Sequence, residues 1–203
     1  MDYNIIFVII GLDPIIQGLW GNCKMNNIAE FVYKVGAKQD RRRFLWSVAG
    51  AVFWYGAVAI MIFLAPWLDK TWDLRLSIPL AVRLPIGIVL LLIGVPMVFW
   101  TIARFLRIKG TPIPFNPPPS LVMTGLYKIV RNPMHLGWTI VLVALALLTQ
   151  SFTLLVIFIP LFILVHILYL KFIEEKELEK KFGQAYLDYK KSVPMLVPRL
   201  IRK

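Results

Sequence analysis

The sequence contains few of the residues from which soluble enzymes build metal, disulfide and nucleotide sites. It has one cysteine and two histidines in 203 residues, and only 17% of its residues are charged. A single cysteine excludes an intrachain disulfide and a cysteine metal cluster, and two histidines far apart make a weak case for a metal site. The sequence also lacks a G-x-G-x-x-G or G-x-x-x-x-G-K signature and an evident Ser–His–Asp or Cys–His arrangement. The common nucleotide-dependent and hydrolytic classes are therefore not indicated.

Long apolar runs are abundant instead. Hydrophobic residues make up 59% of the chain and charged residues only 17%. In a soluble domain about a quarter of the residues are charged. We predict an all-α integral membrane protein with about five membrane helices, folded as one domain over residues 1–203. The predicted membrane segments are Tyr3–Trp20 (uncleaved, and kinked or only partly inserted), Leu45–Pro66, Leu84–Ala103, Met134–Thr149 and Phe152–Phe172.

The positive charges indicate how the chain is oriented. Most of the 23 Lys and Arg residues lie in three segments, 24–43, 104–131 and 171–203. These segments fall on one side if the apolar runs between them cross the membrane an even number of times. The positive-inside rule places that side in the cytoplasm. Nucleic-acid binding is the weaker interpretation of the net charge of +12.

The last two apolar runs are joined only by "TQS", which predicts an antiparallel helical hairpin. A hairpin returns its two ends to the same side, so residues 131–135 should lie near Glu174 and Glu175. Beyond Phe172, "FIEEKELEKKFGQAYLDYKK" places apolar residues at helical spacing on one face. We predict a cytoplasmic amphipathic helix, with a bend at Gly183, that lies at the interface or folds over the mouth of the hairpin.

Polar residues in the hairpin each allow two interpretations. Asn132 and Pro133 are a favoured helix cap and first position, so with Arg131 they form either an anion site or an ordinary cap. His135 is a candidate general base, although a hydrogen-bonded pocket wall is the better interpretation. His166 is expected to form a hydrogen bond between helices.

The acidic pair also has two interpretations. Glu174 and Glu175 lie where a span leaves the membrane and are candidates to bind a cationic or hydroxyl-bearing ligand group. The alternative is a solvated helix stabilised by Glu–Lys pairs such as Glu177 with Lys181.

The stretch "LVMTGLYKIVRNPMHLGW" followed by "EEKELEKKFGQAYLDYKKSVPMLVP" resembles the isoprenylcysteine carboxyl methyltransferase family and its bacterial and phospholipid-methylating relatives. The resemblance covers about residues 109–198, so residues 1–108 would supply membrane helices and residues 109–203 the catalytic half. It implies a multi-pass methyltransferase that binds S-adenosylmethionine at the cytoplasmic face. The implied cofactor residues are Ser120, Leu121, Val122, Tyr127, Asn132, Pro133, Met134, His135 and Glu174.

The same resemblance suggests how the acceptor is handled. The acceptor would be a small lipophilic molecule, a phospholipid or a lipid-anchored carboxylate. Arg131 is the candidate to supply positive charge at the reaction centre. If the acceptor is an amine, Glu175 or His135 would be the general base. This sequence has His135 where the family has Tyr, and Leu170 where the prenylcysteine enzymes have an Arg, so Lys171 is the remaining substrate candidate. The alternatives are a sterol-reductase-like enzyme using a nicotinamide cofactor and a non-enzymatic membrane protein.

Overall fold

A computed structural model describes residues 41–107 and 120–198, and these residues are predominantly helical. The principal helices are α1 (Arg41–Trp72), α2 (Leu80–Arg107), α3 (Pro133–Thr149), α4 (Leu154–Phe182) and α5 (Gln184–Ser192), with a 3-10 turn at Gly125–Lys128. The described residues form no strand, so the predicted all-α class is confirmed. The predicted first segment, Tyr3–Trp20, lies outside the described residues, and the count of about five membrane helices stays a prediction.

Three helices are long and apolar enough to cross a membrane: Val48–Trp72 within α1, all of α2, and α4. Their outward faces carry large exposed apolar side chains such as Phe53, Phe63 and Leu92. Exposed apolar surface of this extent is expected where a helix faces lipid. The inward faces of α1, α3 and α4 form a buried core that includes Val58, Leu142, Leu154, Ile159 and Phe162.

Helices α2 and α3 pack closely because two glycines meet at their crossing. A β-carbon added to Gly94 would lie 2.9 Å from the carbonyl oxygen of Gly137. A β-carbon on Gly137 would lie 3.0 Å from Cγ2 of Val98. Small residues at a crossing allow two backbones to approach, which is a common basis for helix association in membranes.

Polar contacts join the last turns of α1 and the loop after it to the turn between α3 and α4. The backbone N–H of Thr153 donates to Oδ1 of Asp69 at 2.8 Å, and the Ser151 hydroxyl donates to the same carboxylate. The backbone N–H of Leu76 donates to the carbonyl of Gln150 at 3.1 Å. Both loops therefore lie at one end of the bundle, and the predicted antiparallel hairpin is confirmed.

Helix α4 differs from the prediction in length and in winding. It runs on to Phe182 without a break, so the predicted separate helix after Phe172 is wrong in its first half. The chain turns only at Gly183, where φ is 56°, and this confirms the predicted bend. Two stretches of α4, Leu154–Phe158 and Leu170–Glu174, are π-helical. Each wider turn shifts the faces on which later side chains lie, and such turns are frequent at functional sites.

The apolar face predicted beyond Phe172 does exist, but it is divided between α4 and α5. Tyr186, Tyr189 and Val193 are buried together, and Leu178 and Phe182 pack against them. The face is covered by the protein itself, since Leu121 from the segment before the 3-10 turn also packs on it.

Candidate active site

The two sequence stretches that carry the family resemblance meet at the end of the bundle opposite the turn at residues 150–151. The chain reaches it through the Gly125–Lys128 turn, and residues 131 and 132 then bond to the segment that follows α5. The backbone N–H of Arg131 donates to the carbonyl of Pro194 at 2.8 Å, and that of Asn132 donates to the carbonyl of Met195 at 3.1 Å. These bonds tie the start of α3 to the C-terminal segment.

Arg131 and Glu175 form a buried ion pair at this end. Guanidinium nitrogen Nη1 of Arg131 lies 2.6 Å from Oε1 of Glu175, and the two side chains are 2% and 4% exposed. The other carboxylate oxygen of Glu175, Oε2, lies 2.6 Å from Nζ of Lys190 on α5. The predicted approach of residues 131–135 to the acidic pair is therefore confirmed. Lys190 was missed because nothing in its local sequence distinguishes it from the other lysines of the helix.

Tyr127 stands between aromatic rings and beside the acidic pair. Its ring centroid is 6.2 Å from that of Trp100 and 6.1 Å from that of Phe105, and the hydroxyl of Tyr189 donates to its carbonyl at 2.7 Å. Burial, and then the negative charge of Glu174, raise the pKa of Tyr127 above its ordinary value. Tyr127 and Glu174, both predicted cofactor residues, are therefore within electrostatic reach of each other.

Gly125 allows the chain to enter this turn. Its φ is 62°, a left-handed conformation that favours glycine. A β-carbon there would collide with the ring of Trp100. Trp100 therefore helps to position the turn that carries Tyr127, a role that its place in an apolar run did not indicate.

The start of α3 is arranged differently from an ordinary cap. Asn132 occupies the cap position and Pro133 follows it, as predicted, but the Asn132 side chain makes no cap hydrogen bond. Its amide instead donates to the carbonyl of Met195 at 3.3 Å. Met134 is buried and His135 half-buried in the first turn. The side-chain cap expected from the sequence is therefore wrong, and the positive end of the helix is left to other acceptors.

The remaining predicted site residues occupy varied positions. Ser120 is exposed, Leu121 is half-buried and Val122 is buried before the 3-10 turn. Lys171 lies in the second π-helical stretch, with its ammonium 5.7 Å from the ring centroid of Phe172. Leu170 beside it is buried.

The solvated interpretation of the acidic segment is wrong. Glu175 and Glu177 are only 3% and 5% exposed, so both carboxyl groups lie inside the protein rather than on a hydrated helix face. Because a buried carboxylate is costly unless it is paired, the ion pairs of Glu175 compensate for its burial.

The two histidines meet inside the bundle, although they are far apart in sequence. Their ring centroids are 4.6 Å apart, and Trp54 of α1 lies 4.1 Å from the ring of His166. The hydrogen bond of His166 runs within its own helix, from Nδ1 to the carbonyl of Phe162 at 2.7 Å. The predicted bond between helices is therefore wrong, and the contacts of His166 with α1 and α3 are ring contacts.

These features define a helical membrane protein with two polar motifs joined at one end of a hairpin. Residues 82–185 match the phospholipid methyltransferase family, and that stretch covers α3, α4 and all but the first two residues of α2. The chain belongs to the phospholipid methyltransferase family, which confirms the resemblance found in the sequence.

Several relatives share part of this region. The chain is 34% identical over 130 residues to methanethiol S-methyltransferase 2 of Bradyrhizobium diazoefficiens, covering 56% of this chain and 48% of that protein. It is 31% identical over 93 residues to methanethiol S-methyltransferase of Crocosphaera subtropica, covering 46% of this chain and 32% of that protein. It is 36% identical over 77 residues to the Pseudomonas deceptionensis protein of that name, covering 38% of this chain and 28% of that protein. The chain thus spans about half the length of these curated relatives, or less.

Proposed function

We propose that this chain is an S-adenosylmethionine-dependent methyltransferase that acts on a small lipophilic acceptor at the cytoplasmic face of a membrane. The observation that carries the proposal is the buried Arg131–Glu175 ion pair, with 2.6 Å between Nη1 and Oε1. This pair joins the two motifs that the family shares and brings the predicted cofactor residues of α3 and α4 to one end of the bundle. The basic residues at that end support its cytoplasmic location.

The residues at this end fit the chemical groups of S-adenosylmethionine. The start of α3 has no side-chain cap, so its N–H groups and helix dipole suit the carboxylate of the methionine portion. Glu174 is a partner for the amino group or the ribose hydroxyls. Tyr127 and the apolar residues before it supply a wall for the adenine. The bound cofactor would supply a methyl group on a positively charged sulfur.

Within this assignment Met134 and His135 line the cofactor from the first turn of α3, together with Asn132 and Pro133. Ser120, Leu121 and Val122 contribute from the segment before the 3-10 turn. Methyl transfer is an in-line displacement, so the protein contributes mainly by holding the two reactants in alignment.

Arg131 and Glu175 are proposed to organise the site. Both carboxylate oxygens of Glu175 face cations, Arg131 on one side and Lys190 on the other. Because both oxygens are engaged by cations, we assign Glu175 the role of orienting Arg131. The guanidinium then supplies positive charge beside the start of α3, where an anionic group of the cofactor would bind.

The acceptor is proposed to be small and lipophilic, and to enter sideways from the bilayer. The similarity to proteins named methanethiol S-methyltransferase supports a small thiol. Leu170 is buried and apolar at the place where the prenylcysteine enzymes carry an Arg, which argues against an acceptor carboxylate there. Lys171 next to it remains the candidate for a contact with a polar acceptor group.

The test is calorimetric binding of S-adenosylmethionine and of its demethylated product to detergent-purified protein. Wild type should bind both, and Glu174→Ala should bind at least tenfold more weakly because a charged hydrogen-bond partner is lost. Asp188→Ala is the matched control, since Asp188 is an exposed carboxylate on α5. It should bind like wild type.

Folded wild-type protein that binds neither compound would overturn the proposal. Binding of a reduced nicotinamide cofactor instead would support the reductase alternative. Equal loss of binding in Glu174→Ala and Asp188→Ala would show that the effect is not specific to the site.

A further inference from the structure

His166 has a single, defined tautomer and an unsatisfied nitrogen. Its Nδ1 lies 2.7 Å from the carbonyl oxygen of Phe162, and a carbonyl can only accept a hydrogen bond. Nδ1 therefore carries the proton, and Nε2 of the neutral ring carries a lone pair. The residue is 2% exposed, and Nε2 has no hydrogen-bond partner among the described residues. A buried lone pair of this kind is costly unless a ligand satisfies it.

His166 is packed among aromatic rings, deeper in the bundle than the cofactor end. His166 lies roughly two helical turns deeper along α4 than Glu174. Its ring contacts those of Trp54 on α1, at 4.1 Å, and Phe162 on its own helix, at 3.8 Å. His135, one of the residues assigned to the cofactor, lies 4.6 Å away. The ring of His135 therefore separates His166 from the proposed cofactor, and His166 lies on the membrane side.

We propose that His166 is the general base of this enzyme, and that it accepts the proton of a small lipophilic thiol held between α1, α3 and α4. The inference rests on the proposed function and names both the acceptor class and the group that activates it. A thiol is mostly protonated at neutral pH, as the cysteine thiol is with its ordinary pKa of about 8.5, and the thiolate is the better nucleophile. The acceptor S–H would donate to Nε2, which satisfies the buried lone pair.

The step is balanced in atoms and charge. A lone pair of the acceptor sulfur forms a bond to the methyl carbon, and the bond between that carbon and the cofactor sulfur breaks, leaving its electron pair on the cofactor sulfur. The thiol proton passes to Nε2 of His166. One positive charge on sulfur is thereby exchanged for one on imidazolium, so the interior gains no net charge. The rings of Trp54 and Phe162 lie within the distance of about 6 Å at which aromatic faces stabilise a cation.

The groups that face His166 come from three helices. His135 faces it from α3, Trp54 faces it from α1, and Tyr169 on α4 reaches the same tryptophan, with ring centroids 6.0 Å apart. His135 is the titratable group nearest to His166 among these. A pH profile must therefore be compared with that of His135→Asn to separate the two histidines.

The first experiment measures methylation of methanethiol and of a more acidic aryl thiol, thiophenol, by wild type, His166→Asn and His166→Gln. Asparagine keeps a donor near the Phe162 carbonyl and removes Nε2, so kcat with methanethiol should fall by about 100-fold or more. The fall should be much smaller with thiophenol and should lessen as the pH rises. Val165→Ala, a change to a neighbouring exposed apolar residue, should behave like wild type. Calorimetric binding of S-adenosylmethionine reports separately that each variant is folded.

A second measurement does not depend on turnover. The chain has two histidines, so nitrogen NMR of histidine-labelled protein in detergent resolves both rings, and His166→Asn assigns them. Adding methanethiol should shift the unprotonated Nε2 signal of His166. If wild type binds the cofactor but shows neither thiol methylation nor this shift, the proposal is overturned while the proposed function stands. If His166→Asn and Val165→Ala are equally active with both thiols, it is also overturned. If the cofactor does not bind at all, the proposed function fails and the NMR shift alone decides whether His166 contacts a thiol.

Discussion

Breaking the Arg131–Glu175 pair should destabilise the protein severely. Both side chains are almost fully buried, and their charged atoms are 2.6 Å apart. Removing one partner of a buried ion pair typically costs about 3–5 kcal/mol, because the other charge loses its compensation. We expect Glu175→Gln to cost about 3 kcal/mol, which is roughly a 150-fold change in the unfolding equilibrium constant.

Lys190 should limit the cost of losing Arg131. Its Nζ lies 2.6 Å from Oε2 of Glu175, so the carboxylate keeps one cation when Arg131 is replaced. Arg131→Met should therefore cost no more than about 3 kcal/mol, the lower end of that range. Lys190 is itself partly exposed, so Lys190→Met should cost only about 1 kcal/mol.

The assay is a double-mutant cycle in detergent, with unfolding followed by tryptophan fluorescence as a denaturing detergent is titrated. The single variants of the cycle are Arg131→Met and Glu175→Leu. The double variant Arg131→Met/Glu175→Leu should be more stable than the sum of these two single losses predicts, by about 2 kcal/mol, since two apolar side chains then replace the pair. Strict additivity of the two single changes would refute the reasoning. So would a Glu175→Gln variant as stable as wild type.

The remaining predictions concern backbone packing and the opposite end of the bundle. Gly125→Ala should lower the free energy of unfolding by more than about 2 kcal/mol in a thermal unfolding experiment, since a positive φ costs about 1–2 kcal/mol and the methyl group also meets Trp100. Gly183 has open space around it, so Gly183→Ala should lose only the conformational part of that free energy. Gly94→Ala should destabilise the protein by about 1–3 kcal/mol because its β-carbon meets the backbone of α3; a neutral effect would contradict the close crossing. Asp69→Ala should cost about 1–3 kcal/mol in the same measurement, because two buried donors lose their acceptor, and unchanged stability would show that these bonds contribute nothing.

Some features of the site followed directly from local sequence. The "TQS" joint between two apolar runs predicted a hairpin, and the hairpin predicted that Arg131 would meet the acidic pair. The structure confirms both, since Arg131 contacts Glu175. Gly183 was likewise predicted as a bend, because a glycine inside an otherwise helical segment is the residue most able to adopt a positive φ.

The sequence by itself therefore determined the helical membrane class, the hairpin and the end of the bundle at which the polar motifs meet, since hydropathy and short connections are local properties. Only the tertiary structure decided that Arg131 contacts Glu175 inside the protein, and that the rings of both histidines and Trp54 meet within the bundle. The π-helical stretch Leu170–Glu174 changes the direction in which the following side chains project, so a regular helical spacing does not predict the partner of Glu175. Trp54 reaches His166 through the packing of α1 against α4, a contact that depends on how distant helices bury their apolar faces together.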